Sequence, residues 1–574
     1  MTNSPAQRAL AIDERIERAN RPEVWISRAD VHELERALDN LDAREKSGEQ
    51  LLLAGLTFAV KDSIDVAGVA TTAGCPAFAT VAATNAPVVQ ALLDAGAVYV
   101  GKTNLDQFAT GLVGTRSPYG AVRNALDPER IAGGSSSGSA VAVALGLVDF
   151  ALGTDTAGSG RVPAALNAIV GVKPTIGMVS TTGVVPACWS FDCVTAFTRE
   201  VVLARRVLKV MANTDPTDLQ RRCAPPTSPL GLATRPVVAF VEPSDLPDLD
   251  SKWRDAYRDA VKRLRHAGCD TVAIDLEPFL RAGRLLYDGA FVAERFAAVG
   301  DWVTSHVDQV DPTVGSIIVN AGGITAQQLA TDSHRVTLAR REVAELFAHL
   351  GACSLILPTV GFHPTIAEVA ADPIGVNSRL GRYTTFANLL DLCAISVPVP
   401  SIEGQPFGVT LLGPAWSDVL QSDLAQLVEG RTRHELDATP IDFPGLPFIE
   451  IAVVGAHLTG QPLNYQLRDR GARFGRRAMT APLYTLFALT TEPPKPGLVR
   501  VSDPLAGASI ELEIWALPPA GFADFVTVLT TPMVLGSVVL DDDTRVTGFL
   551  CEPVALEGAV DITASGGWRT HLAG

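Results

Sequence analysis

Residues 131–164 read IAGGSSSGSAVAVALGLVDFALGTDTAGSGRVPA: two loops of small residues, 133–139 and 154–160, on either side of an apolar run long enough for one helix and one strand. The same rhythm begins upstream, where PVVQALLDAGA (87–97) feeds VYVGK (98–102), and it recurs to about residue 240. Repeated alternation of this kind builds a sheet covered by helices on both faces, an α/β architecture. Sites in such sheets form at strand ends. The two loops offer hydroxyls and unencumbered backbone N–H groups, the materials of a nucleophile and an oxyanion hole.

Working outward, 574 residues exceed one ordinary core and predict at least two domains. A hydrophobic share of 47% with 19% charged residues indicates a well-buried globular protein. The net charge of -16 argues against a nucleic-acid partner, whose footprint would be basic. The N-terminal MTNSPAQRALAIDERIERAN has no apolar signal core, and no run reaches the roughly 18 apolar residues of a membrane span. No membrane partner and a cytoplasmic location are therefore expected. The eight cysteines are scattered without metal-ligand spacing and read as reduced core residues. Lysine is scarce, eight against 39 arginines, so a lysine in an apolar setting raises a question.

Residues 1–50 alternate charge with apolar positions at helical spacing and read as a helical lead-in that packs on the core or on a second copy of the chain. LLLAGLTFAV (51–60) reads as a buried strand ending in Lys61 and Asp62. Residues 251–350 read as mostly helical, and SLILP and ISVPVP as returning strands. Three prolines in DATPIDFPGLP (437–447) mark a linker. Beyond it IELEIWALP, FVTVLTTP, GSVVLDD and VTGFLCEP read as short strands of a smaller α+β unit. The expected division is thus 1–50 lead-in, 51–436 catalytic domain, 437–447 linker and 448–574 C-terminal domain.

Taken alone, GGSSSG is also what a flexible turn looks like. It is not a phosphate loop, because GxxxxGK[ST] is absent. A G-x-S-x-G pattern surrounds Ser136, but that nucleophile elbow needs a downstream acid and histidine, and no histidine stands in a motif-like setting.

The combination is more specific. AVKD (59–62), AGGSSSGSA (132–140) and GTDTAGSGRVPA (153–164), with 74 residues from Lys61 to Ser135 and 24 from Ser135 to Ser159, resemble the amidase signature family over about residues 50–420. The resemblance implies a mixed sheet core covered by helices on both faces and a Ser–cisSer–Lys triad: Ser159 as nucleophile, Ser135 as bridging serine, Lys61 as base. Such a lysine works only when neutral, so burial must lower its pKa from about 10.4 by roughly 3 units. Thr156, Ala157 and Gly158, with Ser159, would supply the oxyanion hole. The family usually has Gly-Gly-Ser here, and Ala157 is tolerable if it needs no positive φ. Asp155 and Arg161 read as braces for the loop, and Lys173 as structural.

The triad leaves the substrate open. Tyr287 and Arg295, in YDGAFVAERF, match residues that the allophanate hydrolase branch of the family places over its substrate. Eight residues apart, both could share a face if the segment is one helix, and an arginine fork suits a small carboxylate. A surface aromatic and a surface arginine would look the same. That branch also carries a C-terminal domain similar to the γ-glutamylcyclotransferase fold. VVGAHLTGQPLN (453–464) looks like that domain's loop, with His457 as its candidate residue. The domain would assist decarboxylation of the first product or serve as a scaffold.

The resemblance implies hydrolysis of allophanate to ammonia and carbon dioxide through N-carboxycarbamate, with no metal, nucleotide or prosthetic cofactor. No biotin-type Met-Lys-Met occurs, so the carboxylation that supplies allophanate is expected on a separate urea carboxylase. The helical N-terminus and extra domain suggest a homodimer. Three rival readings are another small-amide amidase of the family, an α/β-hydrolase with Ser136 and a histidine, and a non-catalytic protein on the same fold.

Overall fold

The computed structural model describes residues 4–573 apart from 213, 288, 403 and 438–444. The chain forms two compact units: residues 1–223 with 237–430, and residues 224–236 with 431–574. The first is built on an 11-stranded sheet. From one edge its strands run Trp25–Arg28, Val98–Thr103, Thr57–Lys61, Phe150–Asp155, Cys193–Thr198, Val170–Lys173, Leu392–Ile402, Gln405–Pro414, Ala352–Pro358, Val237–Phe240 and Asp270–Ala273.

The sheet is mixed. Thr57–Lys61 is parallel to both its neighbours, whereas Phe150–Asp155 and Cys193–Thr198 are antiparallel. Helices cover both faces, and strands buried on both sides favour apolar runs; every residue of Phe150–Asp155 is buried, with apolar Phe150, Ala151 and Leu152 leading to polar Thr154 and Asp155 at the strand end. The register sets Lys61 opposite Thr103 at the same strand ends.

Several expectations need correction. The N-terminal 50 residues do form two capped helices, Pro5–Ala19 and Val31–Lys46, but WISR between them is an edge strand antiparallel to Val98–Thr103. The helices' Ile12, Ile16, Leu34 and Leu38 pack in the core of this unit. In LLLAGLTFAV the strand begins only at Thr57. Leu53 N–H donates to Ala95 O and Gly55 N–H to Gly96 O, so a tethered turn precedes it, in which Leu53 is buried and Leu52 exposed.

The second unit has a five-stranded sheet, Arg473–Met479, Glu511–Leu517, Ile449–Val453, Arg545–Cys551 and Met533–Val539 in spatial order, and a three-stranded one. FVTVLTTP is not a strand. Its first three residues finish the helix Pro519–Thr527, where proline starts the helix and Phe525 turns into the unit's core. Segment 224–236, earlier in the chain, belongs to this unit: Leu230 N–H donates to Gly471 O, and Ala520 N–H to Pro226 O. Most of the expected linker, 438–444, lies outside the described residues. No helix among the described residues is long and apolar enough to cross a membrane, and all eight cysteines are free thiols.

The edge strand offers a test. A Cβ added at Gly101 would stand 2.5 Å from Ser27 O, closer than any side chain tolerates. Gly101→Ala is expected to loosen Trp25–Arg28 and cost about 1–3 kcal/mol, measurable by chemical denaturation together with faster proteolysis between residues 20 and 30.

Candidate active site

Lys61 closes the strand Thr57–Lys61, and its side chain is fully buried. Its Nζ donates to Ser135 Oγ and to Thr154 Oγ1, both at 2.7 Å. No carboxylate among the described residues pairs with it. Burial drops its pKa from 10.5 to about 7, against the opposing pull of Asp106, Asp192 and Asp155 and with a smaller push from Arg295. Ser135, also fully buried, follows a cis Gly134–Ser135 peptide. A neutral Lys61 can therefore take a proton from Ser135 near neutral pH.

Ser159 sits one residue before the N-cap-to-helix step at Arg161–Leu166 and is 4% exposed, the one accessible member of the three. The described hydrogen bonds join Lys61 to Ser135 but do not join Ser135 to Ser159. The loop before Ser159 is set by a buried ion pair. Asp155 Oδ2 accepts from Arg161 Nε and Oδ1 from Arg161 Nη2, both at 2.9 Å. Asn388 Nδ2 fixes the same turn by donating to Asp155 O and Phe191 O, each at 2.8 Å.

That clamp engages one expected oxyanion donor. Gly158 N–H donates to Asp155 Oδ1 at 2.9 Å and Gly160 N–H to Oδ2 at 3.0 Å. The N–H groups of Thr156, Ala157 and Ser159 make no backbone hydrogen bond among the described residues and stay available for a developing oxyanion. Gly158 is required for another reason: its φ is +130°, and a Cβ there would lie 2.3 Å from Thr384 Oγ1. Ala157 is not among the residues of positive φ, which explains why a methyl is tolerated.

Arg295, on the helix Val292–Ser305, is 5% exposed and donates through Nη1 to Thr110 Oγ1 (2.6 Å) and through Nε to Ala187 O (3.3 Å). It lines a small cavity of about 10 Å³ with Thr156, Ala157 and Cys188. Tyr287 does not share its helix. It ends the preceding helix, Glu277–Tyr287, and its side chain lies outside the described residues. The break falls where Ala290 N–H donates to Asp332 Oδ2 at 2.8 Å.

Sequence reasoning missed the groups that hold this arrangement. Asp192, buried and with its pKa raised by burial, accepts from Thr156 Oγ1 and from the N–H groups of Ala187 and Cys188. Asp106 accepts the N–H groups of Val113, Gly114 and Arg116. Thr110, Thr154 and Asn388 complete the set. Apart from Thr154, which opens the second small-residue loop, none stands in a stretch of unusual composition, so only the fold brings them in.

The amidase family model matches residues 10–420, and the model described as allophanate hydrolase C-terminal domain matches residues 449–573. The chain belongs to the amidase family. It is 40% identical over 573 residues to the urea amidolyase of Saccharomyces cerevisiae, covering 96% of this chain and 31% of that one. It thus spans about a third of the length of the urea amidolyases it matches. It is 33% identical over 389 residues to amidase 1 of Oryza sativa, covering 64% of this chain and 89% of that one. Among solved structures, Kluyveromyces lactis allophanate hydrolase superposes with a TM-score of 0.90 at 37% identity, covering 100% of this chain and 97% of the other.

Within this amidase, Ser136 is committed to structure. Its Oγ donates to Thr154 O at 3.1 Å and accepts from Thr154 N–H at 3.2 Å, and no described histidine touches it. That removes the elbow reading. Lys173 donates to Pro174 O and Leu392 O, a structural role. In the second unit His457 stacks on Phe549 with centroids 5.1 Å apart and meets Gln466 Oε1 at 3.0 Å. Burial lowers its pKa to about 4, so it is uncharged near pH 7.

The amidase stores a testable cost at Lys61. The unfolded chain keeps this proton up to about pH 10.5 and the folded chain loses it near 7, so between these values the unfolded state binds more protons and stability rises with pH. Below pH 7 the penalty, on the order of 5 kcal/mol, is fully present. Urea titrations of Lys61→Met and the parent from pH 6 to 10 should show the parent gaining relative stability as pH rises, and a constant difference would contradict the buried, neutral amine.

Proposed function

We propose that this chain hydrolyses allophanate, with Ser159 as nucleophile, Ser135 as proton relay and Lys61 as base. The observation that carries the reading is the dry Lys61 amine, held 2.7 Å from Ser135 with a pKa of about 7. A base of this pKa is half neutral near pH 7 and so can accept a proton there. Ser159 Oγ attacks the terminal ureido carbonyl as its proton passes through Ser135 to Lys61. The oxyanion is met by N–H groups of Thr156, Ala157 and Ser159. The proton then returns to the departing nitrogen, ammonia leaves, and water repeats the relay to free N-carboxycarbamate from Ser159. Loss of carbon dioxide from that product brings the total to two ammonia and two carbon dioxide.

The choice of allophanate is supported by Arg295, a buried guanidinium without a carboxylate partner among the described residues, lining the same small cavity as Thr156 and Ala157. Tyr287 is proposed to act with it. The C-terminal domain match and the likeness to Kluyveromyces lactis allophanate hydrolase point the same way. Urea amidolyase as the name of a relative supports a supply of allophanate by carboxylation of urea. For His457 the aromatic stack and the uncharged ring support a packing role in the second unit over acid–base chemistry.

Ammonia release from allophanate, biuret, malonamide and glutamine tests the reading directly, with allophanate expected to be preferred. Its kcat/KM should fall on the acid side with an apparent pKa of about 7, the value at Lys61. Arg295→Gln should lose about a hundredfold or more in kcat/KM for allophanate. Equal turnover of the neutral amides would rule allophanate out as the preferred substrate, and an unaffected Arg295→Gln enzyme would remove Arg295 from carboxylate recognition.

A further inference from the structure

Arg295 is not the only buried cation at this place. Arg116 is 4% exposed and lines a cavity of about 670 Å³ together with Thr110, Gly111 and Asn377. Its Nη1 donates to Thr110 O at 3.0 Å and its Nη2 to Pro373 O, while its Nε has no partner. Thr110 is thus held between two guanidiniums, Arg116 on its carbonyl and Arg295 on its hydroxyl.

Neither guanidinium forms an ion pair among the described residues. Asp106 accepts the backbone N–H of Arg116 at 3.0 Å and not its side chain. Asp332, the acidic residue among the described lining of the cavity, pairs with Arg335 at 2.9 Å. A guanidinium has five N–H donors, and each of these two arginines spends its described bonds on neutral oxygens. Buried charges are ordinarily paired, so two cations without an ion pair among the described residues, joined through Thr110, with Arg116 lining the 670 Å³ cavity and Arg295 the small cavity of Thr156 and Ala157, are equipped for an anion from outside.

We propose that Arg116 and Arg295 form a paired-guanidinium site for small carboxylates, in which Arg116 selects anionic over neutral amides. The site deepens the allophanate reading, on which the identity of its natural ligand rests, and Arg116 brings a second positive charge to Thr110, the residue that Arg295 also bonds. Lysine at 116 keeps the charge without the fork and should serve partially, whereas an uncharged residue should not.

Isothermal titration of the full-length Ser159→Ala protein with malonamate and with malonamide separates charge from shape, because the two ligands differ in one carboxylate. Arg116→Gln in that background should weaken malonamate about tenfold or more and leave malonamide within about twofold, and Arg116→Lys should recover part of the loss. Unchanged malonamate binding would overturn the proposal. An equal loss for both ligands would overturn it too, by assigning Arg116 a purely structural task. Should the unaltered enzyme release no ammonia from allophanate, the functional reading fails while the titration still decides the carboxylate site.

Discussion

Burying the Lys61 amine with no carboxylate in hydrogen-bond contact is the constraint on which the rest of the first unit depends. Desolvation disfavours the charged form, and Asp106, Asp155 and Asp192 work against it from further away. Had one of those carboxylates been paired with the amine, the lysine would stay protonated and could not act as a base. Each is instead engaged elsewhere: Asp106 on backbone N–H groups, Asp155 on Arg161, Asp192 on Thr156 and the 187–188 backbone. The fold keeps three acids near the amine while giving all three other partners.

The same division of labour shapes the oxyanion loop. Asp155 and Arg161 form a buried pair with bidentate geometry, and breaking such a pair by removing one partner is strongly destabilising. Their bonds capture the N–H groups of Gly158 and Gly160, while those of Thr156, Ala157 and Ser159 make no hydrogen bond among the described residues. A loop of small residues is preorganised here by a charge pair that touches no substrate.

Much of this was legible in the sequence. The three motifs placed Lys61, Ser135 and Ser159 in one unit, and the helix-then-strand rhythm read correctly as a helix-covered sheet. What escaped has physical causes. WISR is too short and too polar on one side to announce itself as a strand, and only its register with Gly101 makes it one. FVTVLTTP has strand composition, but Pro519 starts a helix that carries Phe525 into the core. The bond from Gly158 N–H to Asp155 was not foreseen because a motif names residues without saying where an N–H points. Asp192 and Asp106 were invisible because they lie far from the motifs in sequence and their role is to accept N–H groups from loops. Arg116 sits in GTRSPYG, a stretch with no periodicity to single it out.

Segment 224–236 bears on how the protein is made. It leaves the ribosome long before residues 471 and 520, to which its backbone is bonded, so Leu230, buried in the finished fold, waits more than 200 residues of synthesis for its partner. The second unit cannot be completed from its own contiguous stretch, and the first cannot be completed without looping that segment out. A cut at the proline-rich stretch near residue 440 would therefore leave segment 224–236 on one piece and the residues it bonds on the other.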